Sequence, residues 1–140
     1  MSTVESIPRS SKRKRAGDRP LVIISRCLGF GTCRYDGRKV EFPGLPALQD
    51  EVDFLPVCPE LAIGLPVPRP PLRLVQKGGT IRLIRADTGQ DLTAAMAEFC
   101  RRFFLRHPDA SAAVLKERSP SCGIANTVVY DASGRALRRT

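Results

Sequence analysis

The chain of 140 residues lacks any apolar run of the roughly 18 residues that a membrane span needs, and it lacks the charged-then-apolar leader of a secreted protein. Both absences point to a cytoplasmic protein with no membrane partner. It also has no CxxC pair, the close spacing on which structural zinc sites are usually built. The single histidine, His107, stands at the end of an expected helix without a partner and reads as a surface residue. Five cysteines, an odd number, argue against a disulfide framework and for reduced thiols that are buried, reactive or metal-bound. No repeat recurs at a period of about 20 to 50 residues and no heptad is sustained, so the length suits a single domain with one core.

The formal net charge of +9 is concentrated at the ends. Residues 1–20 carry six Lys or Arg against Glu5 and Asp18, and the last ten residues carry three Arg against Asp131. The stretch SSKRKRAGDRP has no aromatic to stack on a base, so residues 1–20 read as a disordered, solvated tail. Contact with nucleic acid is expected only through that tail. The remainder, 21–140, reads as the folded domain.

Leu21–Ser25 (LVIIS) has the β-branched, continuously apolar character of a buried strand. A glycine-rich loop, CLGFGTCRYDG, follows, and then a proline-broken segment with room for a short helix near PALQDE. VDFLPV, Val52–Val57, is a second strand. The next segment, CPELAIGLPVPRPP, holds five prolines, and the expectation is an extended, stiff loop acting as a wall or lid. LRLVQKGGTIRLI alternates on both sides of Lys77, Gly78 and Gly79, a hairpin pattern with a glycine turn. In DLTAAMAEFCRRFFLRHP, Leu92, Met96, Phe99 and Phe103 recur at helical spacing, with Asp91 or Thr93 able to cap and Pro108 ending the helix. SAAVLK is a third core strand, and NTVVYDASGRALR alternates and turns at Ser133 and Gly134. The fold class is therefore α/β: a small, open, mostly parallel sheet with flanking helices and a peripheral hairpin.

Cys27, Cys58 and Cys122 each follow one of the three apolar strands. In an open parallel sheet the carboxyl ends of the strands share one edge, where such folds place their sites, so three cysteines distant in sequence can meet there. Buried structural thiols are one reading. The other is an iron-sulfur cluster, whose irons accept thiolates from widely separated positions. Three ligands would leave one iron open as a Lewis acid. Cys100 lies on the core side of the long helix and reads as structural. Cys33 is open between a fourth ligand, a resolving thiol and a pocket wall.

Four stretches taken together, CLGFGTCRYDG, VCPELAIGLPVPRPP, TGQDLT and LKERSPSCG, resemble the family catalogued as domain of unknown function 523, which includes bacterial 2-thiouracil desulfidases. The resemblance runs from about Leu21 to Tyr130 in matching order, and its CPE and SPSCG motifs are the specific part. It implies a small α/β domain that holds a 4Fe-4S cluster on Cys27, Cys58 and Cys122. It also implies a non-redox desulfuration of a small thiolated pyrimidine, 2-thiouracil giving uracil and hydrosulfide. A carboxylate and a serine near the cluster belong to that chemistry, and they map to Glu60 and to Ser119 or Ser121. Where the family usually reads CLLG, this chain has Cys27-Leu28-Gly29-Phe30, which brings an aromatic near the first ligand.

Replacing C=S by C=O requires water to attack carbon, and a carboxylate can take the water's proton. Glu60, two residues from Cys58 and following Pro59, suits that task; otherwise it is a solvated loop carboxylate. The serines serve as hydrogen-bond donors to substrate or as turn-stabilising hydroxyls. Arg34, Tyr35 and Asp36 are candidate substrate-binding residues, although RYDG is also a good turn. Arg69 faces an anionic ligand or holds its loop through carbonyls. Two rival functions stay open. One is a cluster-bearing sulfur carrier or sensor docking to an RNA-thiolation partner, which would release no sulfide. The other is a cluster-free, basic nucleic-acid-binding domain, which would be colourless.

Overall fold

The first apolar run forms β1 (Leu21–Ser25), whose residues are buried from Val22 onward. A continuous apolar run rather than an alternating one is what a central strand needs, because both of its faces are covered. It is flanked by β2 (Asp53–Val57) and β5 (Ala110–Val114), both parallel to it, in the order β2-β1-β5. All three carboxyl ends therefore lie on one edge. The computed structural model describes residues 18–140. Most of the expected tail, residues 1–17, lies outside them.

Between β1 and β2 the chain forms a glycine-containing loop and the single turn α1 (Leu45–Gln49). Leu45 packs under the loop with Phe42, Val40 and Leu28, beside the fully buried Ile24. Gly29 is required here: its φ is +95°, and a Cβ would sit 2.7 Å from Leu45 Cδ2. Phe30, the aromatic that departs from the family pattern, meets Phe54 edge-on at 5.8 Å between ring centroids.

The proline-rich segment after β2 is not extended throughout, which corrects the sequence expectation. It opens with one helical turn, α2 (Pro59–Ala62). Pro59 stands at the first helical position, where its fixed φ suits a helix and its missing N–H leaves no bond unmade. The ladder is closed by Ala62 N–H to Cys58 O at 3.0 Å and Ile63 N–H to Pro59 O at 3.1 Å. This turn draws Glu60 inward.

The expected hairpin forms from β3 (Leu72–Lys77) and β4 (Thr80–Arg85), with Lys77 in the strand opposite Thr80 and the turn left to Gly78 and Gly79. It is not peripheral. The short β6 (Val128–Tyr130) lies parallel to β3 and carries β7 (Ala136–Arg139), giving a second sheet of order β4-β3-β6-β7. The architecture is α/β, with two open sheets and three helices among the described residues, in one domain.

The long helix α3 (Thr93–Arg106) packs Leu92 and Met96 against Leu65, Leu72 and Leu83. Each such side chain contributes about 1.5–3 kcal/mol on full burial. Of the two expected caps, Asp91 accepts the Thr93 N–H at 2.9 Å, while the Thr93 hydroxyl accepts the Leu83 N–H and ties the helix start to β4. Cys100 packs against this same apolar cluster. Among the described residues no helix is long and apolar enough to cross a membrane.

Candidate functional site

The carboxyl edge of the parallel sheet opens into a cavity of about 440 Å³. Cys27 follows β1, Cys58 follows β2 directly, and Cys122 lies on the turn after β5; all three line this cavity together with Cys33. None of the chain's five cysteines is in a disulfide. Cys100 and His107 do not border the cavity; the His107 ring rests 4.9 Å from that of Phe103.

Burial pushes the Cys27 thiol up from its ordinary value, the neighbouring Cys122 and Cys58 add to this, and Lys116 and Arg34 pull the other way. Burial likewise raises Cys122, whereas the Ser25 hydroxyl beside it favours its thiolate. Cys33 is pushed up to about 12 by burial and by the adjacent Cys58. Burial and the repulsion between neighbouring thiolates oppose ionisation of Cys27 and Cys122, and a bound cation of high charge would offset both.

Glu60 is buried, and each of its carboxylate oxygens has a partner. Oε2 accepts Arg69 Nε–H at 2.6 Å, and Oε1 accepts the Ser121 hydroxyl at 3.1 Å. Ser121 Oγ lies 3.2 Å from Ser119 Oγ. Ser119 Oγ accepts the N–H groups of Ser121 and Cys122 at 3.3 and 3.1 Å. An ionised carboxylate only accepts, so the Ser121 proton goes to Glu60 and the Ser119 proton goes to Ser121. The result is a directed row of hydroxyls ending on a carboxylate. Gly123 lets the turn close this tightly, since a Cβ there would lie 2.7 Å from Ser119 O.

The structure also brings together residues that sequence reasoning passed over. Ser25, 1% exposed at the end of β1, accepts the Lys116 N–H at 2.9 Å, which leaves its own proton for the Cys122 sulfur. Arg26, Lys116 and Arg118 join Arg34 on the cavity lining. A serine closing an apolar strand was the available signal for Ser25. Tyr35 lines the cavity with Arg34, whose guanidinium lies over the tyrosine ring at 5.7 Å. Asp36 does not border it: its carboxylate accepts the Arg38 N–H at 3.0 Å and shapes the turn. Phe30 is likewise absent from the lining. Arg69 borders the cavity, but its donors go to Glu60 and to the carbonyls of Pro66 and Cys33.

Over residues 22–139 the sequence matches the family described as 2-thiouracil desulfurase. The chain belongs to the 2-thiouracil desulfurase family. Among its relatives is the uncharacterized protein YbbK of Bacillus subtilis (strain 168), 33% identical over 111 residues, which are 74% of this chain and 73% of YbbK. Among solved structures, the [4Fe-4S]-dependent thiouracil desulfidase TudS superposes with a TM-score of 0.65 at 34% identity, covering 85% of this chain and 78% of TudS.

The donors bordering this desulfurase-family cavity are soft thiols, four of them, Cys27, Cys33, Cys58 and Cys122. Soft thiolates are the ligands that iron-sulfur clusters take, so the residues present fit such a group. Among the described residues no three His, Cys, Asp or Glu side chains form a single-ion site.

Proposed function

We propose that the protein removes sulfur from a small thiolated pyrimidine such as 2-thiouracil, giving uracil and hydrosulfide, with a 4Fe-4S cluster held by Cys27, Cys58 and Cys122. The observation that carries this reading is the hydroxyl row from Ser119 through Ser121 to the buried Glu60, set in the same cavity as the three cysteines. When bound, the cluster supplies a Lewis-acidic iron for the substrate sulfur.

The remaining work falls to the chain. A water attacking the ring carbon loses its proton to Ser121 Oγ as Ser121 passes its own to Glu60 Oε1. C=S plus H₂O becomes C=O plus H₂S, so the reaction needs no electrons. Arg34 and Tyr35 border the space for the planar ring, and Cys33 forms part of the wall. Unpaired thiols suit the reducing cytoplasm, where we place the reaction.

The test is hydrosulfide release by cluster-loaded wild type and Glu60→Gln protein. Glu60→Gln is expected to retain the cluster and bind 2-thiouracil while releasing hydrosulfide about 10²- to 10⁴-fold more slowly. Equal rates would remove Glu60 as the base. A loaded wild type that takes up sulfur but releases none from any thiolated pyrimidine would favour the sulfur-carrier reading instead.

A further inference from the structure

Arg69 has more bonds than a loop residue needs. Its side chain is 3% exposed. Nε donates to Glu60 Oε2 at 2.6 Å, one terminal nitrogen donates to Pro66 O at 3.1 Å and the other to Cys33 O at 2.9 Å. Its backbone N–H donates to Tyr35 O at 2.8 Å. One residue thus joins the helical turn that carries Glu60, the loop that carries Cys33 and Tyr35, and its own proline-rich loop. A guanidinium is a planar fork whose donor directions are fixed, so anchoring two of its arms on carbonyls fixes the third.

The carboxylate needs such an anchor. The terminal torsion of a glutamate is broad, so nothing in the side chain itself fixes the plane of the carboxylate. Arg69 fixes it by holding one oxygen, Oε2. Oε1 is left for Ser121 and therefore for the cavity. No donor of Arg69 with a bond to these groups is available to an anionic ligand as well.

We propose that Arg69 is a positioning residue: it acts on desulfuration through Glu60, holding the carboxylate in the single orientation that keeps Oε1 at the end of the serine row. This rests on the reading of Glu60 as the base. A misplacement of about 1 Å can cost about 10²-fold in rate, and that is the loss expected when the anchor is removed.

The experiment is a double-mutant cycle on cluster-loaded wild type, Arg69→Met, Glu60→Gln and the double variant, measuring iron content, kcat and KM for 2-thiouracil. Arg69→Met is expected to lower kcat by about 10²-fold with KM little changed. In the Glu60→Gln background the same substitution is expected to cost almost nothing further. An equal loss in both backgrounds would overturn the proposal, since Arg69 would then act independently of Glu60. A raised KM with kcat intact would overturn it too and make Arg69 a substrate ligand. Glu60→Gln at the wild-type rate would sink the base reading, and the proposal with it. If Arg69→Met fails to load iron, melting temperatures of the four cluster-free proteins decide: the proposal requires Arg69→Met to melt well below wild type and Glu60→Gln to restore part of that loss. Losses that simply add would overturn it.

Discussion

The two sheets of this molecule carry two kinds of order. Around the β4-β3-β6-β7 sheet the packing is apolar: Leu65, Leu72, Leu83, Leu92 and Met96 form one buried cluster, with Ile63, Leu74 and Phe99 packed against it. At the carboxyl edge of the β2-β1-β5 sheet the order depends on single polar contacts, including one buried ion pair and one pair of hydroxyls. Both halves contain cysteine, and the contrast gives it opposite meanings. Cys100 is a small apolar group among leucines and phenylalanine, whereas Cys27, Cys58 and Cys122 border an open cavity beside cations and hydroxyls. The setting of a thiol, not its presence, separates a packing residue from a candidate ligand.

The sharpest way to break that comparison is to remove each thiol in turn. Cys27→Ala, Cys58→Ala and Cys122→Ala are each expected to abolish hydrosulfide release and to lower iron well below the roughly four per chain of a cubic cluster, while Cys100→Ala keeps both. Iron and sulfide counts on anaerobically purified protein check this, and full iron in any of the first three variants would strike that residue from the ligand set.

The opposite half should lose stability and keep its chemistry. Leu83→Ala is expected to destabilise the fold by about 2–5 kcal/mol, the range for a buried leucine that leaves a cavity. Release per loaded cluster should stay near the wild-type rate at a temperature where the variant is folded. Denaturant melts and turnover on one preparation measure both.

Ser121→Ala sharpens the comparison within the site. It cuts the hydroxyl row between Ser119 and Glu60 without touching a thiol, and about 10- to 10²-fold of the rate is expected to go, at the low end of general acid–base effects. Unchanged iron content with unchanged turnover would show that protons leave by another route.

How far the sequence foretells this site follows from which contacts are local. Cys27 and Cys58 follow apolar strands within one or two residues, and the parallel pairing that unites the strand ends is a property of the sheet rather than of any one residue. The thiols were therefore legible. Which of Ser119 and Ser121 meets Glu60 was not, because that contact is a hydrogen bond from Ser121 to a carboxylate 61 positions away. Arg69 was expected to face an anionic ligand or to hold its loop through carbonyls; it holds the carbonyls of Pro66 and Cys33, and its third bond goes to the protein's own Glu60 rather than to a ligand. The helical turn at Pro59 was missed because proline was weighed as a breaker when at a first helical position it is a starter. The second sheet was missed because β6 is three residues long and pairs with β3 at only two positions.

The smallest expected effect lies on the exposed face of α3. Arg101 and Arg102 hold the Glu98 carboxyl down at about 2, against an ordinary 4.5. A depressed carboxylate pKa stabilises the fold above the ordinary value, and that stabilisation fades as pH falls through the folded one. Glu98→Gln should therefore melt slightly below wild type at pH 7, and the difference should vanish near pH 2; solvent exposure keeps it small. Turnover at pH 7 should not respond.

The bond from Lys116 N–H to Ser25 Oγ spans 91 positions of chain. Closing so long a loop comes late in folding, since its entropy must be met before the contact gives anything back. On the ligand reading proposed above, Cys27 and Cys58 are synthesised well before Ser119, Ser121 and Cys122, so the cavity that would hold a cluster is complete only once the turn after β5 has been made, and a chain stopped at residue 110 would carry two of the three proposed ligands without the third.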